Sequence, residues 1–265
     1  MHLRDEKVDI AVGGQHVAGT LLVPQDRHAN ALGVLFIHGW GGSQEQYLER
    51  ARMVAGLGCA CLTFDLRGHE GMQAQHETVT REDNLHDVMA AYKVISRYPG
   101  VDPSRIAVAG SSYGAYLGAI LTALVPVRWL SLRAPALYKD AGWDLPKRKL
   151  HQDPDFAAFR TRTHRPVDNR ALDACARFRG DALVVESQDD SIVPHAVVGS
   201  YVAALANVRS LTVHVIQGAD HGLSRPAWRQ AYTDLLVTWI EAKTCEAVSG
   251  AEAARRPAQA VRPGG

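Results

Sequence analysis

The stretch RIAVAGSSYGAYLGAIL, residues 105–121, decides the fold of this chain. Residues 106–109 are apolar, as in a buried strand, and a helix-forming segment follows GSSYG at 110–114. A sharp strand-to-helix turn lifts a serine hydroxyl above the sheet, where an imidazole can reach it. The GxSxG pattern therefore predicts a nucleophile at its central residue, Ser112, and not at Ser111; the alternative is a small-residue turn that only packs a helix on the sheet.

On either side of this junction, short apolar runs alternate with longer segments of helical periodicity. The alternation predicts an α/β fold with a mostly parallel eight-stranded sheet flanked by helices, in which the first two strands form an antiparallel edge. We expect strands at 8–12, 17–23, 31–37, 59–65, 105–110, 128–134, 182–187 and 211–216, and helices at 44–57, 82–98, 113–125, 195–206 and 226–243.

This arrangement resembles the α/β-hydrolase superfamily over nearly the whole chain except its tail. The GSSYG sequence followed by Ala-Tyr-Leu is similar to the elbow of the prolyl-oligopeptidase-like branch. The lack of a propeller domain resembles the free-standing esterases of that branch. The resemblance implies a serine hydrolase that acts on esters rather than on peptides.

An apolar strand runs directly into HGWGG, residues 38–42, which resembles the family's HGxxG loop. A tetrahedral intermediate needs two N–H donors directed at one oxygen. The resemblance assigns these donors to Trp40 and Tyr113, and Trp40 is also expected to wall the acyl pocket. His38 is expected to brace the loop, because the family places its base last in the chain.

The acid is predicted from SQDDSIVP, residues 187–194, which resembles the family's acid loop. Its register, an Asp separated from Val-Pro by two residues, selects Asp190, whose carboxylate would orient the imidazole of the base. Asp189 is expected to be solvated or to cap the next helix.

The base is predicted in QGADHG, residues 217–222, after the last strand. An imidazole at His221 can take the serine proton and return it to the leaving group. The chain order Ser112, Asp190, His221 is that of the hydrolases. The alternative base, His195, is interpreted as a helix-start residue.

A further loop, DLRGH at 65–69, resembles a structural loop of the family. Asp65 and Arg67 are expected to tie neighbouring loops through a charge-assisted bond. Glu70 and Met72 are expected to border the pocket, although Glu70 stands where the family usually has glycine.

Residues 139–181 break the alternation and form a possible lid insert after strand 6, or a solvated loop with short helices. His151 and His164 fall in this insert and are expected to face solvent. The insert resembles that of small cinnamoyl and feruloyl esterases. Three aromatic side chains fit an acyl pocket or a packed lid equally well: Trp143, Phe156 and Phe159.

The 265 residues fit one catalytic domain, 1–247, followed by a tail, 248–265, that lacks an apolar face and is expected to be disordered. The net charge of +1 gives no field to attract nucleic acid. The polar start lacks a secretory signal and no apolar run is long enough to span a bilayer, which predicts a cytoplasmic location.

The cysteines show no metal or CxxC spacing and are expected to be free thiols: Cys59, Cys61, Cys175 and Cys245. No cofactor signature is present, and the expected partner is a small-molecule acyl ester. The oligomeric state is not predicted.

The favoured function is hydrolysis of carboxylic esters through an acyl-enzyme. A thioesterase, acyltransferase, peptidase or perhydrolase on the same residues remains open. So does a non-catalytic binding protein that keeps the fold.

Overall fold

The computed structural model describes residues 2–25, 30–69 and 72–255, without the side chains of His151 and residues 245–255. Eight strands form its sheet: β1 (Leu3–Val12), β2 (Gln15–Pro24), β3 (Ala31–Ile37), β4 (Ala60–Phe64), β5 (Val101–Ser111), β6 (Trp129–Arg133), β7 (Asp181–Ser187) and β8 (Ser210–Ile216). Their order in the sheet is β1-β2-β4-β3-β5-β6-β7-β8.

The sheet confirms the predicted architecture. Strands β1 and β2 pair antiparallel at one edge, β2 pairs antiparallel with β4, and the remaining neighbours are parallel. The inner strands are continuous apolar runs because helices cover both faces, whereas β1 alternates between exposed and buried side chains at its end of the sheet.

The helices lie in two layers. Helices α1 and α7 pack on one face through Leu48 and Leu236, and α2, α3, α5 and α6 pack on the other. Their bounds are α1 Glu45–Ala55, α2 Arg81–Ser96, α3 Tyr113–Leu121, α4 Phe156–Arg160, α5 Arg170–Arg177, α6 His195–Ala204 and α7 Pro226–Arg255, with short 3₁₀ turns at Gln73–Gln75, Lys147–Gln152, Pro166–Asp168 and Leu205–Asn207.

Two helices cross boundaries that were predicted from the sequence. The expected insert, 139–181, includes α5, whose buried residues belong to the helical layer beside α3, so the irregular part ends near Asn169. The expected tail begins at 248, but α7 continues to Arg255; residues 256–265 lie outside the described residues, as does Glu70.

The strand register brings the predicted site loops to one edge of the sheet. Ile37 is opposite Gly110, so the loop after β3 meets the turn after β5. Ser187 is opposite Ile216, so the loops after β7 and β8 also emerge side by side. Ligand sites of open α/β sheets lie at this carboxyl edge.

Candidate active site

Ser112 occupies a strained turn between β5 and α3. Its φ of 53° and ψ of −115° lie in a region that non-glycine residues seldom adopt. The Ser112 N–H donates to the Arg133 carbonyl at 2.8 Å, which holds the turn against β6. The side chain is half-buried at the carboxyl edge, where a loop can reach it.

Gly114 allows this turn to form. A Cβ at this position would lie 2.2 Å from the Ile37 carbonyl oxygen and 2.5 Å from that of His38. The start of α3 can therefore approach the end of β3 only without a side chain there.

The structure brings Ser112, His221 and Asp190 into one hydrogen-bonded chain. The Ser112 hydroxyl lies 3.1 Å from Nε2 of His221, and Nδ1 of His221 lies 2.7 Å from Oδ2 of Asp190. With Nδ1–H donating to the carboxylate, Nε2 is left to accept the serine proton. This is the geometry that activates a serine hydroxyl.

Asp190 is held as a carboxylate. Partial burial raises the pKa of Asp190, but hydrogen bonds from His221 and from the N–H groups of Val193 and Ile192 outweigh this, so its pKa lies below the ordinary value. The neighbouring Asp189 is exposed, which agrees with the first of its two predicted roles, a solvated residue rather than a helix cap.

The other histidines have different surroundings. His38 is buried, donates through Nδ1–H to the Gly39 carbonyl at 2.7 Å and accepts the Leu66 N–H at Nε2 at 3.0 Å. Burial lowers the pKa of His38 to about 4, so it is a neutral brace between two loops. His195 begins α6, is exposed and contacts Glu186. His164 approaches the Phe159 carbonyl within the insert.

Two backbone N–H groups, those of Trp40 and Tyr113, are the predicted oxyanion donors. Tyr113 is the first residue of α3, so its N–H has no acceptor within the helix. Among the described residues, the N–H of Trp40 donates to no backbone or side-chain acceptor. The Trp40 loop lies close to the turn, since a Cβ on Gly39 would be 3.4 Å from Cβ of Ser112.

The Trp40 ring is part of an aromatic cluster that sequence reasoning missed. It packs on His69, His76 and Tyr113, with ring centroids 4.6–5.6 Å apart. The ammonium of Lys147, fully buried, lies 4.4 Å from the Trp40 ring centroid and 5.1 Å from that of Tyr113. Burial, with the charges of Arg81 and Arg160, lowers the pKa of Lys147 to about 7.

Two buried arginines that hold backbone carbonyls in place were also missed. Arg133 ends β6 and donates to the His221 carbonyl and, at 3.2 Å, to the Ser187 hydroxyl. Arg81 donates to the carbonyls of Lys139 and Ala141, which holds the start of the insert against α2. The sequence gives one indication that Arg133 lies near the site, which is its charge at the end of the apolar run WLSLR.

The DLRGH loop is structural, but its pairing differs from the expectation. Asp65 accepts the backbone N–H and side-chain amide of Gln44 before α1, at 2.8 and 2.6 Å. Arg67 pairs instead with Asp87 on α2 at 2.6 Å. Each residue thus ties the loop to a helix. Met72 packs partly buried on the core.

The insert aromatics pack against the core. Phe156 stacks on Tyr138 with ring centroids 5.7 Å apart, and Phe159 lies on His164 at 4.1 Å. The Trp143 ring is covered by the guanidinium of Arg170 at 4.1 Å. Each of the three rings thus packs on a neighbouring side chain.

A cavity of about 540 Å³ is lined by His221 and by Ser111, the residue before Ser112. Trp40 and His221 border it on one side, and residues of α1 and α7 form its other walls. Its size is within the range of small-molecule sites. Within the described residues, no group of three or more histidine, cysteine or carboxylate side chains is arranged to hold a metal ion, and no helix is long and apolar enough to cross a membrane.

Comparison with known sequences defines the family. The model of the alpha/beta hydrolase family matches residues 34–235. An uncharacterized protein of Mycobacterium tuberculosis is 30% identical over 194 residues, which cover 71% of this chain and 62% of that relative. The match thus spans less than two thirds of the relative's length. The chain belongs to the alpha/beta hydrolase family.

Solved structures share the fold. A dienelactone hydrolase from Anabaena variabilis superposes with a TM-score of 0.65 at 18% identity, covering 90% of this chain and 97% of that one. The protein Est1E of Butyrivibrio proteoclasticus, with ferulic acid bound, gives a TM-score of 0.68 at 17% identity, covering 91% and 99%. At these identities the likeness is one of fold.

Proposed function

We propose that this chain hydrolyses carboxylic esters through an acyl-enzyme formed on Ser112. The observation that carries the proposal is the hydrogen-bonded chain Ser112–His221–Asp190, with distances of 3.1 and 2.7 Å, at the carboxyl edge of the sheet. Membership of the alpha/beta hydrolase family supports it. Among the proteins that share the fold, one is named a dienelactone hydrolase and another binds ferulic acid.

The proposed reaction has two halves. Nε2 of His221 takes the proton of Ser112 as Oγ bonds to the ester carbonyl carbon, and the N–H groups of Trp40 and Tyr113 stabilise the oxyanion. The C–O bond to the alcohol then breaks, and His221 returns the proton to the leaving oxygen. Water, deprotonated by His221, attacks the acyl group and releases the acid and free Ser112.

The test measures hydrolysis of p-nitrophenyl acetate and butyrate. Ser112→Ala is expected to lower kcat by about 10⁴-fold or more, because the nucleophile is lost. The matched control is Ser111→Ala, which should keep most of the activity. Equal turnover by wild type and Ser112→Ala would contradict the proposal.

A second pair of variants tests the acid. Asp190→Asn should lower kcat by about 10³- to 10⁴-fold, because the asparagine favours the wrong imidazole tautomer. Asp189→Asn, one residue away and exposed, serves as its control. Product analysis with competing alcohols, thiols and peptides distinguishes hydrolysis from acyl transfer on the same residues.

A further inference from the structure

The cavity beside His221 is built around two buried cations. Arg50 of α1 is 8% exposed and Arg133 of β6 is 6% exposed, and both line the cavity. The buried rings of Tyr47 and Tyr232 form the wall next to them. The guanidinium of Arg50 lies 4.5 Å from the Tyr232 ring centroid and 5.5 Å from that of Tyr47.

Neither guanidinium has a carboxylate partner in the described part of the chain. Arg133 donates to two uncharged oxygens, those of His221 and Ser187, and its buried Nε has no hydrogen-bond partner among the residues that the structure describes. Arg50 donates through Nε to the Thr233 hydroxyl at 3.1 Å. Among the described residues, neither forms an ion pair within 4.0 Å. Buried charges are normally paired, because desolvation of an isolated ion is costly.

The charges at this cavity favour an anion at its floor. Burial lowers the pKa of Arg133 and outweighs the opposing influence of Tyr47, Tyr232 and Asp190, and the charge of Arg50 adds to the lowering. Exposed Arg229 lies at the rim, together with the exposed carboxylates of Glu45 and Glu49. The rim carboxylates are solvated and screened, whereas the guanidinium groups at the floor are not.

We propose that this cavity is a subsite for a carboxylate or phosphate group carried by the ester, bound by Arg50 and Arg133. The planar guanidinium matches both oxyanions, and such a group would supply the direct ion pair that Arg50 and Arg133 lack among the described residues. Trp40, Ser111 and His221 line the same cavity, so an anion bound there would lie next to the proposed base and to the neighbour of Ser112 in the chain. This substrate class rests on the proposed esterase function.

Selectivity between matched esters tests the subsite. For an anion on the alcohol side, 3-acetoxybenzoate is compared with its methyl ester, and 3-acetoxyphenyl phosphate with m-tolyl acetate. For an anion on the acyl side, mono-p-nitrophenyl adipate is compared with p-nitrophenyl hexanoate. In wild type, kcat/KM should favour the anionic member of at least one pair.

Arg50→Gln should lower that anionic-to-neutral ratio by about 10-fold or more, since a hydrogen-bonded charge pair is removed. Arg52→Gln is the matched control, because Arg52 lies on the same helix but pairs with Asp5 at the surface. A wild type without anionic preference, or an equal loss of the ratio in both variants, overturns the subsite.

Binding is also measured without turnover and without an arginine variant. Calorimetric titration of Ser112→Ala with succinate and with inorganic phosphate, against chloride at equal ionic strength, should show saturable binding of at least one anion. If no ester is hydrolysed, the proposed function fails and this titration alone decides the subsite. Absence of binding by both anions overturns it.

Discussion

Gly114 sets the distance between the predicted nucleophile and the loop that carries Trp40. The carbonyl oxygens of Ile37 and His38 occupy the space that a Cβ would need. The second glycine of the GxSxG pattern therefore follows from backbone packing as well as from chemistry. This requirement can be read from the sequence, because the strand before Ser112 and the helix after it are both recognisable.

Gly114→Ala is expected to lower the free energy of unfolding by about 3 kcal/mol or more, because the backbone of β3 or α3 must move. The control is Gly199→Ala on α6, where an added Cβ meets nothing within 4 Å. That exposed helical position should gain about 0.5–1 kcal/mol. Urea unfolding followed by tryptophan fluorescence measures both, and equal effects of the two variants would contradict the packing argument.

At the scale of elements, neutral histidines join the loops that follow β3 and β4. His38 links Gly39 to Leu66, and His69 packs against His38 with ring centroids 4.9 Å apart. Burial, and then the proximity of His38, lowers the pKa of His69 to about 4. Both rings are therefore uncharged near neutral pH.

This pairing predicts a pH-dependent stability. Between about pH 6.5 and 4 the two histidines are protonated in the unfolded chain but stay neutral in the folded one, so the free energy of unfolding falls as the pH falls. From pH 7 to 5 the loss is roughly 2 kcal/mol per histidine. Urea unfolding at the two pH values should show a smaller difference in His69→Phe than in wild type.

The control for this experiment is His86→Gln, which removes an exposed histidine from α2. It should keep the wild-type difference between pH 7 and pH 5. If His69→Phe also keeps the full difference, the buried His69 ring does not contribute to acid lability.

In the insert, local sequence patterns do not predict which residues are buried. Lys147 stands in the run Lys-Arg-Lys, a composition typical of a solvated surface. The fold buries it because its N–H donates to the Val79 carbonyl at 2.8 Å and because Pro146 pairs with Thr80 at the start of α2. Such long-range contacts leave no local periodicity, and the same holds for Arg81.

At the scale of the whole molecule, the order of buried strands and amphipathic helices was enough to predict the sheet. Apolar runs such as Val34–Ile37 can bury the side chains of both strand faces only between two helical layers, so the number and spacing of these runs define the fold. The helix α5 was missed as a core element because it is short and follows a polar loop. The arginine cavity was missed because Arg50 and Arg133 are far apart in sequence.

The sheet also explains why loops distant in sequence can form one site. Ser112 follows β5, Asp190 follows β7 and His221 follows β8, and parallel pairing places these strand ends at one edge. Arg133, at the end of β6 between them, contacts the His221 carbonyl. The roles of these residues remain predictions until a reaction at Ser112 is measured.

Labelling with a fluorophosphonate, followed by intact-protein mass spectrometry and peptide mapping, tests the central claim most directly. Wild type should gain a single adduct on the peptide that contains Ser112, Ser111→Ala should label likewise, and folded Ser112→Ala should stay unlabelled. A folded wild type that takes up no label, or equal labelling of Ser112→Ala, would contradict a nucleophile at Ser112.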